Sequence, residues 1–192
     1  MRILGLDPGL NHTGWGVIDI EAGHYRHVDS GVIHVPAGEL SVRLGHIVRA
    51  LTQIIVKNHP DCASAEKVFV NLNAQSTLRL SQARAAALIA ADLQGLNVNE
   101  YTPSEIKLAV TGVGKADKLM VQKMVCLLLN LPEPLQADQA DALGCAICCA
   151  NRLQMQTYEK QGETNRVYAL ARHGRSRSGD RKAWEALLAK KE

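Results

Sequence analysis

Four acidic residues are candidate ligands for a divalent cation: Asp7, Glu66, Asp138 and Asp141. Hard cations such as Mg²⁺ prefer carboxylate oxygens and keep several waters for a phosphate substrate. Two such ions roughly 4 Å apart would activate water and stabilise the leaving oxygen in phosphodiester hydrolysis. The residue types therefore indicate phosphodiester chemistry, provided that the four side chains converge, which their spacing alone does not establish.

Each carboxylate also has an ordinary structural explanation. Asp7 precedes Pro8-Gly9, and Asp-Pro-Gly is a common turn sequence. Glu66 lies inside a predicted strand, where its face is either solvated or places a charge beside apolar neighbours. Asp138 and Asp141 share one face of a predicted first helical turn, where acidic residues complement the helix dipole. The alanine-rich sequence around that pair predicts burial, which makes two like charges costly without a cation between them.

Hydrophobic periodicity predicts the elements that must position these residues. Three Ile-, Val- and Tyr-rich runs separated by turn residues predict an antiparallel meander, at Arg2 to Leu6, Trp15 to Ile20 and His24 to Val35. Steps of three and four then predict a helix from Leu40 to about Lys57, which Pro60 ends.

The second half of the chain alternates between strands and helices. Strands are predicted around Ser64 to Val70 and at Leu96 to Tyr101. The sequence Thr102-Pro103-Ser104-Glu105 predicts a capping box that starts a short helix. Further helices are predicted at Asn73 to Leu93, with Leu78 facing inward, at about Ala116 to Leu129, and at about Gln136 to Leu153. This order predicts an α/β fold with a mixed sheet.

The charge distribution separates a body from a basic tail. Residues 1–150 contain 12 Lys and Arg against 14 Asp and Glu, whereas residues 151–192 contain 10 against 5. We expect one domain at 1–155 and a basic extension at 156–192, partly flexible, with a possible short helix starting at Asp180. A basic tail suits a polyanionic partner, although it also serves solubility.

Cysteine usage and the amino-terminal sequence predict a cytoplasmic protein. No signal-peptide pattern or long apolar stretch is present in the sequence. The odd number of cysteines, 5, favours reduced core thiols. Cys145 and Cys148 have the spacing of metal ligands but lack a second pair nearby to complete a site.

Five sequence motifs together resemble the RuvC crossover-junction endodeoxyribonucleases over residues 1–150. They are Gly5-Leu6-Asp7-Pro8-Gly9-Leu10 with Thr13-Gly14-Trp15-Gly16; Glu66-Lys67-Val68-Phe69-Val70; Gln82-Ala83-Arg84; Lys107 followed by Gly112-Val113-Gly114-Lys115-Ala116-Asp117-Lys118; and Gln136-Ala137-Asp138-Gln139-Ala140-Asp141-Ala142-Leu143. Leu72, Ser81 and Ala85 depart from the usual pattern, which bears on DNA contacts and dimer geometry.

The resemblance implies a ribonuclease H-like fold, a mixed five-stranded sheet with helices on both faces. It implies that the four carboxylates are catalytic and bind two Mg²⁺ ions, with Mn²⁺ able to substitute. It further implies a homodimer that nicks two strands of a four-way DNA junction symmetrically during recombination and repair, together with a branch-migration motor.

Three further residues receive DNA-binding roles from the same resemblance. Lys107 and Lys118 match positions that contact DNA, and a lysine suits a phosphate as a point charge. Phe69 matches a residue that stacks on opened bases. Their ordinary alternatives are solvated helix lysines and a core strand residue.

Two other functional classes remain open from the sequence. Sugar kinases and actin-like ATPases also begin with an Asp-Gly turn that holds nucleotide phosphate, but they need two such domains. A module that binds branched DNA without cutting it is the other alternative, and the presence of all four carboxylates argues against it.

Overall fold

The computed structural model describes residues 1–21, 23–67 and 74–173. Phe69, Leu72, the predicted continuation of the fourth strand over 68–70, and the predicted helix from Asp180 lie outside the described residues. The backbone divides into two units, Met1–Arg152 and Leu153–Glu192. The site described below belongs entirely to the first unit.

The first unit is built on one sheet of five strands. They are β1 (Arg2–Asp7), β2 (His12–Glu21), β3 (His24–His34), β4 (Cys62–Glu66) and β5 (Val98–Tyr101). The strand order is β3-β2-β1-β4-β5. The first three strands form the antiparallel meander, while β4 runs parallel to both β1 and β5. The predicted mixed five-stranded sheet is confirmed.

Five helices accompany the sheet: α1 (Leu40–Asn58), α2 (Ala74–Asp92), α3 (Pro103–Thr111), α4 (Lys118–Leu129) and α5 (Ala137–His173). The capping box that starts α3 is present, because Thr102 accepts from the Glu105 backbone and the Glu105 carboxylate accepts from the Thr102 backbone. The Asp117 side chain caps α4 by accepting from the Met120 amide.

The predicted end of the last helix, near Leu153, was wrong, because α5 continues to His173. The polarity after Met155 predicts an end to the helix, but polarity alone does not break one. Residues 154–173 contain no proline and a single glycine, Gly162, so nothing in their backbone preferences breaks a helix.

One face of the sheet packs against α1 and α2 through apolar side chains. Leu4 and Leu6 of β1 are fully buried there, in one cluster with Leu51 of α1 and Ala87 of α2. The small residues of α2 let it approach the other helix closely. Leu78, predicted to face inward on α2, is 59% exposed, so that prediction was wrong.

On the other face of the sheet, the backbone of α5 packs closely against glycines of β1 and β2. A Cβ atom added to Gly5 would lie 1.9 Å from the Ala142 carbonyl oxygen, and one added to Gly14 would lie 1.9 Å from the Asp138 carbonyl oxygen. Any larger residue at these two positions would push the helix away. The predicted arrangement of helices on both faces of the sheet is therefore confirmed.

Candidate metal centre

Three aspartates meet where the first turns of α5 cross the end of β1. Asp7 is the last residue of β1, and Asp138 and Asp141 lie in the first two turns of α5. One carboxylate oxygen from each residue lies within 4.8 Å of the other two. Gly14, the register partner of Asp7 on β2, allows this approach because it leaves room for the Asp138 backbone.

Burial and like charge act together on Asp7. Burial is the main cause that raises its pKa from 3.8 to about 7, and the negative charges of Asp141, Asp138 and Glu66 raise it further. The positive charge of Lys118 acts in the opposite direction. A bound cation would favour the ionised form of Asp7 and relieve the repulsion among the carboxylates. The donor set therefore fits a hard divalent cation held by oxygen ligands.

Glu66 lies beside this group without belonging to it. It is the last residue of β4, and β4 runs parallel to β1 with Ala65 opposite Leu6. Asp7 and Glu66 therefore lie side by side at the same end of neighbouring strands. Burial and the charge of Asp141 raise the Glu66 pKa, while Lys107 and Lys118 lower it. Its carboxylate does not join the three aspartates within 4.8 Å.

Two lysines predicted to bind DNA lie near the carboxylates. The Lys118 ammonium donates to an Asp141 carboxylate oxygen at 2.8 Å, and this hydrogen bond is the main cause of its raised pKa. Lys107 is close enough to stabilise the ionised form of Glu66. Because both lysines also have carboxylate partners, the geometry alone is compatible with charge balance as well as with phosphate binding.

Arg84 is a residue whose role was not predicted, although its motif was noted. Its Nε donates to the Glu66 backbone carbonyl at 3.2 Å, and its Nη2 lies 2.5 Å from a Glu100 carboxylate oxygen on β5. Arg84 therefore fixes the backbone at the end of β4. The available signal is an arginine within an alanine-rich helix, because a partly buried guanidinium needs partners.

The cysteines do not form a second metal site among the described residues. All five are free and buried. In the described part of the chain, the single group of three or more potential ligands is the aspartate cluster. Cys145 and Cys148 both lie buried on α5.

Comparisons with known proteins identify the family of this chain. The family model described as crossover junction endodeoxyribonuclease RuvC matches residues 3–149. The RuvC endonuclease of Paracoccus denitrificans is 47% identical over 154 residues, covering 80% of this chain and 94% of that relative. The RuvC endonuclease of Burkholderia cenocepacia is 51% identical over 151 residues, covering 79% of this chain and 84% of that relative.

Solved structures show the same fold. RuvC of Thermus thermophilus in complex with a Holliday junction substrate superposes with a TM-score of 0.77 at 30% identity, covering 82% of this chain and 97% of that one. The yeast mitochondrial Holliday junction resolvase Ydc2 shares the fold, with a TM-score of 0.59 at 15% identity over 83% of this chain and 85% of that one. None of the described helices is long and apolar enough to cross a membrane. The chain belongs to the RuvC family of crossover junction endodeoxyribonucleases.

Proposed function

We propose that this protein resolves four-way DNA junctions by metal-dependent phosphodiester hydrolysis, with Asp7, Glu66, Asp138 and Asp141 as its catalytic carboxylates. The observation that carries the proposal is the approach of three aspartates to within 4.8 Å in a member of this family. The substrate class follows from the relative bound to a Holliday junction. Glu66 completes the set from the neighbouring strand end.

The proposed cofactor is Mg²⁺, with Mn²⁺ able to substitute and two ions in the site. The four carboxylates would hold such ions, which would supply Lewis-acid chemistry to activate water and to neutralise charge on the scissile phosphate. Asp7 must lose its proton before its carboxylate can bind a cation. Because its pKa is about 7, Asp7 is only partly ionised at neutral pH until a cation favours the carboxylate.

Lys107, Lys118 and Phe69 are the proposed DNA contacts. Lys118 and a bound cation would compete for the Asp141 oxygens, which leaves the ammonium free for a phosphate. Lys107 stands near Glu66 and offers a second positive charge to the DNA backbone. Phe69 lies outside the described residues, and its stacking role rests on its family motif.

Symmetric cleavage requires two active sites, so the proposal includes a homodimer. It also includes the cytoplasm as the place of action, which the reduced cysteines favour, and a branch-migration motor as partner, which is carried from the family resemblance. The proposed nuclease domain spans 1–155, and the basic extension 156–192 lies beyond the family match, which ends at residue 149.

The test is a labelled four-way junction incubated with Mg²⁺ and either Asp7→Asn or the matched control Asp92→Asn. Asp92 ends α2 and is exposed. We expect Asp7→Asn to lower the cleavage rate by at least about 100-fold while junction affinity is retained. The control should cut at the wild-type rate. Full cleavage by Asp7→Asn would count against the assignment.

The same assay separates the two alternatives. Junction binding without nicks in Mg²⁺, Mn²⁺ or any other divalent ion would favour a non-cleaving binding module. Calorimetry with ATP addresses the nucleotide-binding alternative, because an actin-like ATPase would bind it in the absence of DNA. We expect no ATP binding and symmetric nicks.

A further inference from the structure

Two exposed histidines face each other at one end of the sheet, outside the aspartate cluster. His12 begins β2, His34 ends β3, and the two residues are register partners. Their Nδ1 atoms are 3.1 Å apart, and the rings meet edge to face with centroids 5.0 Å apart. We propose that His12 and His34 form a binding site for a late first-row divalent metal ion such as Cu²⁺, Ni²⁺ or Zn²⁺.

The distance between the two nitrogens fits a single ion. Imidazole nitrogens bind such metals at about 2.0–2.1 Å. Two neighbouring ligands at that bond length are about 2.9 Å apart at a right angle and about 3.3 Å apart at a tetrahedral angle. The observed 3.1 Å lies between these values. An ion at this bond length would lie to one side of the line that joins the two nitrogens, so each ring would rotate to direct its lone pair at the ion.

The backbone beneath the two rings is fixed on both strands. The Val35 amide donates to the Asn11 carbonyl at 2.9 Å, which makes His12 and His34 the adjacent non-hydrogen-bonded pair of the ladder. Side chains are closest in pairs of this kind. Arg43 donates to the Leu10 carbonyl and to the Asn11 side chain, each at 2.7 Å, and so holds the loop before His12. The backbone at His12 and His34 therefore needs little reordering to bind an ion.

Ligand chemistry separates this pair from the aspartate cluster. Neutral imidazole suits Cu²⁺, Ni²⁺ and Zn²⁺, whereas carboxylates suit Mg²⁺ and Mn²⁺. Among the described residues, no third His, Cys, Asp or Glu completes a group with the pair. Water would complete the coordination shell, so the affinity depends on both histidines together.

The two sites lie at the same end of the sheet and on the same face. His12 is two residues before Gly14, whose face of β2 meets Asp138. On β3, Ser30 lies on this face because its hydroxyl accepts from Gln139 of α5 at 2.7 Å, and His34 follows it by four residues. Alternation along both strands therefore directs the histidines toward the α5 side.

The experiment uses the full chain, without DNA, in excess Mg²⁺ so that the aspartate cluster is supplied with its preferred ion. Zn²⁺ binding is measured by calorimetry, and the Cu²⁺ complex by electron paramagnetic resonance. We expect hyperfine coupling to two imidazole nitrogens on Cu²⁺. His12→Gln and His34→Gln should each lower Zn²⁺ affinity by at least about tenfold.

The control is His24→Gln, at the opposite end of β3, which should bind Zn²⁺ as the wild type does. All three histidines are exposed, and thermal unfolding without metal checks that each variant folds normally. Unchanged Zn²⁺ affinity in His12→Gln and His34→Gln, or a copper spectrum without two nitrogens, would overturn the proposal. Neither readout involves cleavage, so the outcome is independent of the proposed nuclease function.

Discussion

The two faces of the sheet are built from the same strands but from different kinds of contact. Toward α1 and α2, alternate residues of β1 such as Leu4 and Leu6 are fully buried among apolar side chains. Toward α5, β1 presents Gly5 and Asp7, and the helix backbone approaches the strand directly. Both faces bury apolar side chains, including Leu143 and Ile147 of α5, but the α5 face also brings charged groups from distant parts of the chain together.

This difference indicates a division between stability and chemistry. Side-chain packing on the α1 and α2 face contributes free energy in proportion to the apolar area buried. The glycine contacts on the α5 face contribute little such area, but they fix the distance between Asp7 and the first turn of α5. A small change on either face should therefore have a different main effect.

Gly14→Ala should have the largest effect on activity. The new methyl group would lie 1.9 Å from the Asp138 carbonyl oxygen, so the start of α5 must move. We expect a loss of roughly 1–3 kcal/mol in the free energy of unfolding. A cleavage loss of at least about 100-fold should accompany it, because the aspartates would no longer be in position to hold the cofactor. Chemical denaturation and junction cleavage measure the two quantities.

Gly31→Ala is the matched control in the same sheet. A Cβ atom there would lie 3.2 Å from the Trp15 ring, a side chain on the apolar face that can shift slightly. Cleavage at the wild-type rate is expected. An equal cleavage loss in both variants would contradict the division between the faces.

Leu51→Ala should have the largest effect on stability. Leu51 is fully buried in the cluster between α1 and the sheet. Truncation should lower the free energy of unfolding by about 2–5 kcal/mol. Cleavage per folded molecule should stay near the wild-type rate when assayed well below the unfolding temperature. A selective cleavage loss in the folded variant would show that the apolar face also positions the carboxylates.

Asp7→Asn should stabilise the cation-free protein at high pH. Because the pKa of Asp7 is raised from 3.8 to about 7, the folded state binds this proton more readily than the unfolded state. Stability should therefore fall as pH rises from about 4 through 7. At pH 8 the variant should unfold at least about 2–4 °C above the wild type, the shift that 1 kcal/mol produces in a chain of this size. Thermal scans at pH 5 and pH 8, with EDTA and with Mg²⁺, measure this.

Mg²⁺ should remove most of that difference, because a cation favours the Asp7 carboxylate in the wild type. If Asp7→Asn were less stable than the wild type at pH 8 without divalent ions, the carboxylate would be supporting the fold. The aspartate cluster would then be a structural feature.

Lys118→Ala should have the smallest effect on stability. The ion pair with Asp141 is partly exposed, with 61% of the Lys118 side chain accessible, so its loss should change unfolding by about 1 kcal/mol or less. Junction affinity should fall, and the slope of log affinity against log salt should become shallower by about one phosphate contact. An unchanged salt slope would assign Lys118 to charge balance alone.

Most elements of the sheet could be predicted because their signals are local. Turn residues bound the first three strands, and Thr102 and Glu105 have the spacing of a capping box, so the sequence alone indicated these boundaries. The approach of Asp7 to Asp138 could not be derived in this way. It depends on which glycines face α5, and that is decided by strand pairing between residues far apart in the chain.

The two wrong predictions have a common cause: both infer structure from the polarity or hydrophobicity of individual residues. The polar residues after Met155 predict the end of a helix, although their backbone preferences permit the helix to continue to His173. Leu78 was placed inside by its hydrophobicity, yet it is exposed on α2. The hydrophobicity of a residue does not by itself show where a helix ends or whether another element covers that residue.

Arg84 links α2 to the end of β4 through a single side chain. It belongs to α2, on the apolar side, but its guanidinium holds both the Glu66 carbonyl and the Glu100 carboxylate. A shift or rotation of α2 would therefore pull on the strand end that carries Glu66. Strain in that helix would therefore reach the fourth carboxylate directly through Arg84.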